Sequence, residues 1–140
     1  GIFITLMPVL NYFYTNAHSI GITVPKEYFW SVGVITSFLD NAPTYLTFLS
    51  LAMGQNGLNI NNPFEVQNYL SLYPLTVSAI SIASVFFGAM TYIGNGPNFL
   101  VKSIAEQKGI KMPGFFDYIY KYSLPVLLPG LVIVWILFFI

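Results

Sequence analysis

Two apolar stretches, residues 28–53 and 75–105, are each long enough to cross a bilayer, yet each is interrupted near its middle by asparagine beside proline or glycine. The first break is Asp40-Asn41-Ala42-Pro43 and the second is Gly94-Asn95-Gly96-Pro97-Asn98. Proline lacks a backbone donor and disfavours a helical conformation in the residue before it, so neither stretch predicts one straight helix. Lipid cannot satisfy the amides and carbonyls that a break sets free, which must face protein or a water-filled cavity. The chain is thereby confined to all-α integral membrane folds that shelter both breaks.

Composition agrees: the chain is 56% apolar and 7% charged, against roughly 25% charged residues in a soluble domain. Five lysines balance five acids and there is no arginine, so no basic surface invites nucleic acid. The absence of cysteine excludes disulfides, thiolate metal sites and thiol catalysis. The opening Gly-Ile-Phe-Ile-Thr-Leu lacks the charged lead of a signal peptide and reads as the interior of a helix, hence as a fragment of a longer protein.

Residues 1–14, with Pro8 inside, read as the end of a membrane helix, and a polar connector carrying His18 and Pro25 runs to Glu27. For residues 28–53 a kinked span and a helical hairpin both fit. Each half is ~15 to 18 Å long, about half of a 30 Å hydrocarbon core, which favours a re-entrant hairpin turning at Asp40 to Pro43. Residues 54–74 form a polar loop with a short surface helix near Phe64 to Tyr73. Residues 75–105 repeat the theme as a broken helix: an apolar half to Ile93, the break, and a second half from Phe99. Ser78, Ala79, Ser81, Ala83, Ser84, Gly88 and Ala89 crowd the first half, predicting close backbone approach to neighbouring helices. A charged loop, Glu106 to Asp117, leads to a last span over 118–140. Lys102, Lys108, Lys111 and Lys121 cluster on one side, which is expected to be cytoplasmic, so that the hairpin dips in from outside.

Asp40 is the only charged residue between Glu27 and Glu65, and a lone acid at membrane depth is a functional-site candidate. Helix N-terminal ends at a break suit anions and C-terminal ends suit cations. Thr36, Ser37, Asp40, Asn41 and Thr44 around the first break, and Thr91, Gly94, Asn95, Gly96, Pro97 and Asn98 around the second, supply oxygen ligands and backbone freedom. Hard cations prefer such oxygens; Asp40, Asn41, Thr44 and Asn95 are the candidate Na⁺ ligands. Asp40 is also placed to cap a helix starting near Asn41. Lys102 and Glu106 share a helix face with Asn98, where snorkelling of the lysine is the simpler reading. His18 is expected at the surface, and Tyr12, Phe13, Tyr14, Tyr28, Phe29, Trp30, Tyr118, Tyr120 and Tyr122 in an interfacial belt.

Ser37-Phe38-Leu39-Asp40-Asn41-Ala42-Pro43-Thr44-Tyr45, followed by Gly88-Ala89-Met90-Thr91-Tyr92-Ile93-Gly94-Asn95-Gly96-Pro97-Asn98-Phe99, resembles the ion transporter superfamily, and within it the bacterial citrate transporter or sodium:proton antiporter branch. The resemblance implies a C-terminal inverted repeat with a re-entrant helical hairpin, a broken transmembrane helix and a terminal transmembrane helix. It also implies an N-terminal repeat elsewhere in the protein, a homodimer, and a multi-pass location in the bacterial inner membrane among lipid. Carboxylate transporters of the superfamily carry Ser-Asn-Thr at the hairpin tip. Here Asn41 and Thr44 fill the latter two roles, whereas Asp40 replaces the serine and Ala42-Pro43 intervenes. An anion beside Asp40 would be repelled unless the carboxyl is protonated or holds a cation.

The function expected is secondary active transport, foremost sodium:proton antiport with Asp40 as coupling acid, with Na⁺ or H⁺ as the ions and no cofactor. Cation-coupled transport of citrate or a dicarboxylate is the alternative. Two other classes compete: a non-catalytic membrane subunit, and an intramembrane aspartyl enzyme, which would need a second carboxylate that this chain does not bury.

Overall fold

The computed structural model describes residues 2–140, and every regular element among them is helical. In order these are α1 (Ile2–Thr15), α2 (Ala17–Ile20), α3 (Pro25–Thr36), α4 (Asn41–Gly54), α5 (Pro63–Leu72), α6 (Pro74–Phe86), α7 (Gly96–Gln107) and α8 (Phe115–Phe139). A 3-10 turn, Phe87–Met90, extends α6, and α8 is wound as a π-helix over Ile119–Leu127. Among the described residues α8 alone is, as one helix, long and apolar enough to cross a membrane.

Arms α3 and α4 form a hairpin. The Tyr28 hydroxyl at the start of α3 donates to Gln55 Oε1 at the end of α4, 2.8 Å away and 27 residues later, where one straight helix would separate them by ~40 Å. Gln55 fastens the base further by donating to the carbonyls of Ile22 (2.5 Å) and Ala17 (3.3 Å). α3 opens on Pro25, and the Glu27 carboxylate accepts from the Thr23 and Val24 amides. Those backbone donors hold the Glu27 carboxyl below its usual range.

The turn lies at Ser37–Asp40 rather than at the expected Asp40 to Pro43. Asp40 caps α4 by accepting from the Asn41 amide at 2.9 Å, and Pro43 falls in the first helical turn, where no intrahelical donor is required. The second break shifts the same way. The first half stops at Met90, Thr91 is extended (φ −135°, ψ 165°), and α7 already begins at Gly96 with Pro97 in its opening turn. In both breaks the proline starts the following helix instead of marking the loop. The charged loop is shorter than expected: α7 runs on through Glu106 to Gln107, and α8 already begins at Phe115, with Asp117 in its opening turn.

α6 is the centre of the packing. Ala79, Ile80, Ala83 and Ser84 are buried, as are Phe29 and Val32 of α3 and Leu51 to Gly54 of α4, while Ser78 and Ser81 are exposed. A Cβ on Gly33 would lie 2.7 Å from the Phe87 ring, so glycine lets the ring sit on the α3 backbone. Phe87 is edge-on to Phe29 at 5.3 Å, and Trp30 meets Trp135 of α8 at 5.8 Å. Tyr28 and Phe29, expected in an interfacial belt, are 1% and 0% exposed and belong to this core. α5 turns 99° from α6 at Tyr73, which lays it across the hairpin's open end.

Candidate functional site

The hairpin turn meets the second break. Asn41, in the first turn of α4, is oriented by its acceptors: its carboxamide N–H₂ faces the carbonyls of Ser84 (2.8 Å) and Gly94 (3.1 Å) and the Thr36 hydroxyl (3.1 Å). Thr36 in turn donates to the Ser84 carbonyl at 3.0 Å. Gly88 carries no side chain where the Asn41 carboxamide rests, and a Cβ there would collide with it. From the other side Thr91 donates to the Ser37 carbonyl at 2.5 Å, and its oxygen accepts from the Ile93 and Gly94 amides at 3.1 and 3.0 Å. One hydroxyl thus shapes its own loop and ties that loop to the hairpin.

Where α6 ends, carbonyls lose their helical partners. Three carbonyls of the 3-10 turn accept from side chains, Gly88 from Asn98 (3.2 Å), Ala89 from Tyr118 (3.0 Å) and Met90 from Ser123 (2.7 Å), while the Ser37 hydroxyl donates to the Gly33 carbonyl at 2.8 Å and lies 3.3 Å from that of Phe87. The donors come from α7 and from α8.

Three carbonyl oxygens crowd Gly94. A Cβ there would lie 2.7 Å from both Thr36 O and Ser37 O and 2.9 Å from Gly88 O, so no side chain fits. Ser37 O and Gly88 O each receive one donor, from Thr91 and Asn98. Such a gathering brings two helix C-terminal ends, each a negative dipole end, together against the Gly94 backbone.

Of the expected site residues, Ser37, Asn41, Thr91, Gly94 and Asn98 lie in this junction. Thr44 is buried but turns back to the Asp40 carbonyl at 2.9 Å. Asn95 precedes α7 without a side-chain capping bond, and Gly96 and Pro97 are exposed. Asp40, read from sequence as a buried acid, is exposed at the tip, its carboxylate engaged by α4. No group of three or more His, Asp or Glu residues gathers among the described residues. Sequence reasoning gave Ser84 and Gly88 a packing role only and Tyr118 a place at the interface, and it did not single out Ser123. The small-residue stripe was the signal for the first two; nothing local marked the last two.

Lys102 pairs with Glu106 at 2.6 Å and sits 5.5 Å from the centre of the Tyr92 ring, its side chain 20% exposed. A separate cavity of about 280 Å³ lies at the hairpin's open end, lined by residues that include His18, Tyr28, Gln55, Tyr69 and Thr76. Burial pushes the Tyr69 phenol there up to about 12, which keeps it neutral.

A protein family described as "Putative citrate transport" matches residues 1–139. No curated protein and no solved structure matches the chain.

Proposed function

This chain belongs to that citrate transport family, and from that premise we propose cation-coupled carriage of a citrate-class carboxylate, with the coupling cation held where the two breaks meet. As a member of a transporter family it is a membrane protein and not an enzyme. The observation that carries the proposal is the convergence of the Thr36, Ser37 and Gly88 carbonyls on Gly94, a position that excludes any side chain. The carbonyl oxygens of Thr36, Ser37 and Gly88 suit Na⁺, a hard cation. A cation bound there would supply positive charge for a carboxylate in a chain without arginine. Asn41 and Asn98 would hold the carbonyls in place. Because Asn41 bonds across the junction, the hairpin and the second break would move together as the site opens to either side.

Sodium:proton antiport with Asp40 as coupling acid is the second reading. Its support is the position of Asp40, one residue before Asn41 and exposed where a transport pathway would pass. Both readings are tested with the full-length protein, in its natural oligomer, in proteoliposomes. Citrate uptake that rises with an inward Na⁺ gradient is the expected result, and Gly94→Ala should abolish it. A Na⁺-driven pH change without citrate, lost in Asp40→Asn, would establish antiport instead. Uptake indifferent to Na⁺ and to pH would overturn the cation reading.

A further inference from the structure

The last helix is the least helical in its geometry where it touches the junction. Over Ile119–Leu127 it is wound as a π-helix, with the Leu128 amide donating to the Ser123 carbonyl five residues back. Pro125 and Pro129 cannot donate, and a local π adjustment is one way a membrane helix re-satisfies groups that proline frees. Segments of this kind are rare and recur at functional sites.

The winding has a consequence for two side chains. In an α-helix residues five apart are turned about 140° from each other, given about 100° per residue. In a π-helix the bond runs from i to i+5, so residues five apart stack on one face. Tyr118 and Ser123 are such a pair, and the Ser123 hydroxyl lies 3.5 Å from the Tyr118 carbonyl. Their hydroxyls reach neighbouring carbonyls of the 3-10 turn, Ala89 at 3.0 Å and Met90 at 2.7 Å. Ser123 is fully buried and Tyr118 stacks on Tyr92 at 4.3 Å, so neither is free to turn away. Gly88, the residue before this pair of carbonyls, provides one of the oxygens crowded at Gly94.

We propose that the π-wound segment of α8 is a positioning device for the cation site: it brings Tyr118 and Ser123 onto one face, and their hydroxyls fix the carbonyl-bearing turn Phe87–Met90. This rests on the cation reading above. The two residues act through the turn and touch no ion themselves. Hydrogen bonds that orient ligands from behind set affinity, and removing one costs about 10- to 100-fold.

The test measures citrate uptake by the full-length protein against Na⁺ concentration and against pH, for wild type, Ser123→Ala, Ser123→Thr and Tyr118→Phe. Ser123→Ala and Tyr118→Phe should raise the concentration of the coupling cation needed for half-maximal uptake about 10-fold or more. The citrate KM at saturating cation should stay unchanged, and Ser123→Thr should restore most of the affinity. A fall in kcat with the cation dependence unmoved would mean a merely structural role and would overturn the proposal. A wild type that responds to neither cation overturns the cation reading, and this inference with it, before any variant is compared.

Discussion

The two breaks solve the same problem in opposite ways. At the hairpin the chain crosses four residues, Ser37–Asp40, and the next helix is capped by a residue of the turn itself, Asp40. At the second break a 3-10 turn runs into an extended stretch, and the Gly88, Ala89 and Met90 carbonyls accept from α7 and α8. The first break caps its following helix from within, although Thr36, Ser37 and Asn41 also bond across the junction. The second exists only when everything around it is in place. The more dependent of the two also gathers the oxygens, as expected of a site that must respond to the positions of several elements at once.

The largest effect should come from filling the meeting point. Gly94→Ala sets a methyl against three carbonyl oxygens at 2.7 to 2.9 Å, and overpacking against groups that cannot retreat costs roughly 1 to 3 kcal/mol. Thermal unfolding in detergent should show that loss, and cation-driven uptake should disappear. A variant that transports normally would mean that the carbonyls are not the site. Asn41→Ala should come next, since the Gly94 carbonyl loses its side-chain donor and the Ser84 carbonyl keeps only Thr36, at about 1 to 3 kcal/mol. If the breaks are coupled through Asn41, its loss should be non-additive with Thr91→Val, whose hydroxyl makes the other tie. Additive effects in that cycle would separate the breaks into independent units.

Asp40 then distinguishes a cap from a charge. Asparagine caps as well as aspartate, so Asp40→Asn should leave the unfolding temperature nearly unmoved, whereas Asp40→Ala should cost about 1 kcal/mol. Any transport change in Asp40→Asn therefore reports the carboxylate and not the helix. Normal uptake and pH dependence in that variant would confine Asp40 to capping and leave antiport without its acid.

Much of this was legible in the residues, and the losses have physical causes. Both breaks are marked by Asn and Pro, and the capping role of Asp40 follows from its place before a helix. The turn positions were read a few residues late because proline was taken for the loop, when its missing donor is tolerated in the first turn of the next helix. The burial of Asp40 was inferred from its apolar neighbours in sequence, but Phe38 and Leu39 are themselves exposed at the tip. Tyr118 and Ser123 could not have been found from spacing at all. An α-helical wheel puts them on different faces, and spacing does not show the π winding that joins them.

The smallest effect concerns the hairpin's base, far from either break. Glu27 accepts from the Thr23 and Val24 amides and its carboxyl is held below the usual range. A group whose folded pKa is depressed stabilises above its unfolded value and loses that contribution as pH falls through the folded value. Glu27→Gln should therefore lower the unfolding temperature slightly at neutral pH and converge with the wild type in acid, where both side chains are uncharged. The group is exposed, so solvent screening keeps the effect small. The base is also fastened by the Tyr28 to Gln55 bond, which no pH in the working range titrates. A large uptake defect in Glu27→Gln would reverse the contrast drawn between the breaks, because it would make the hairpin depend on its entry as strongly as the second break depends on its neighbours.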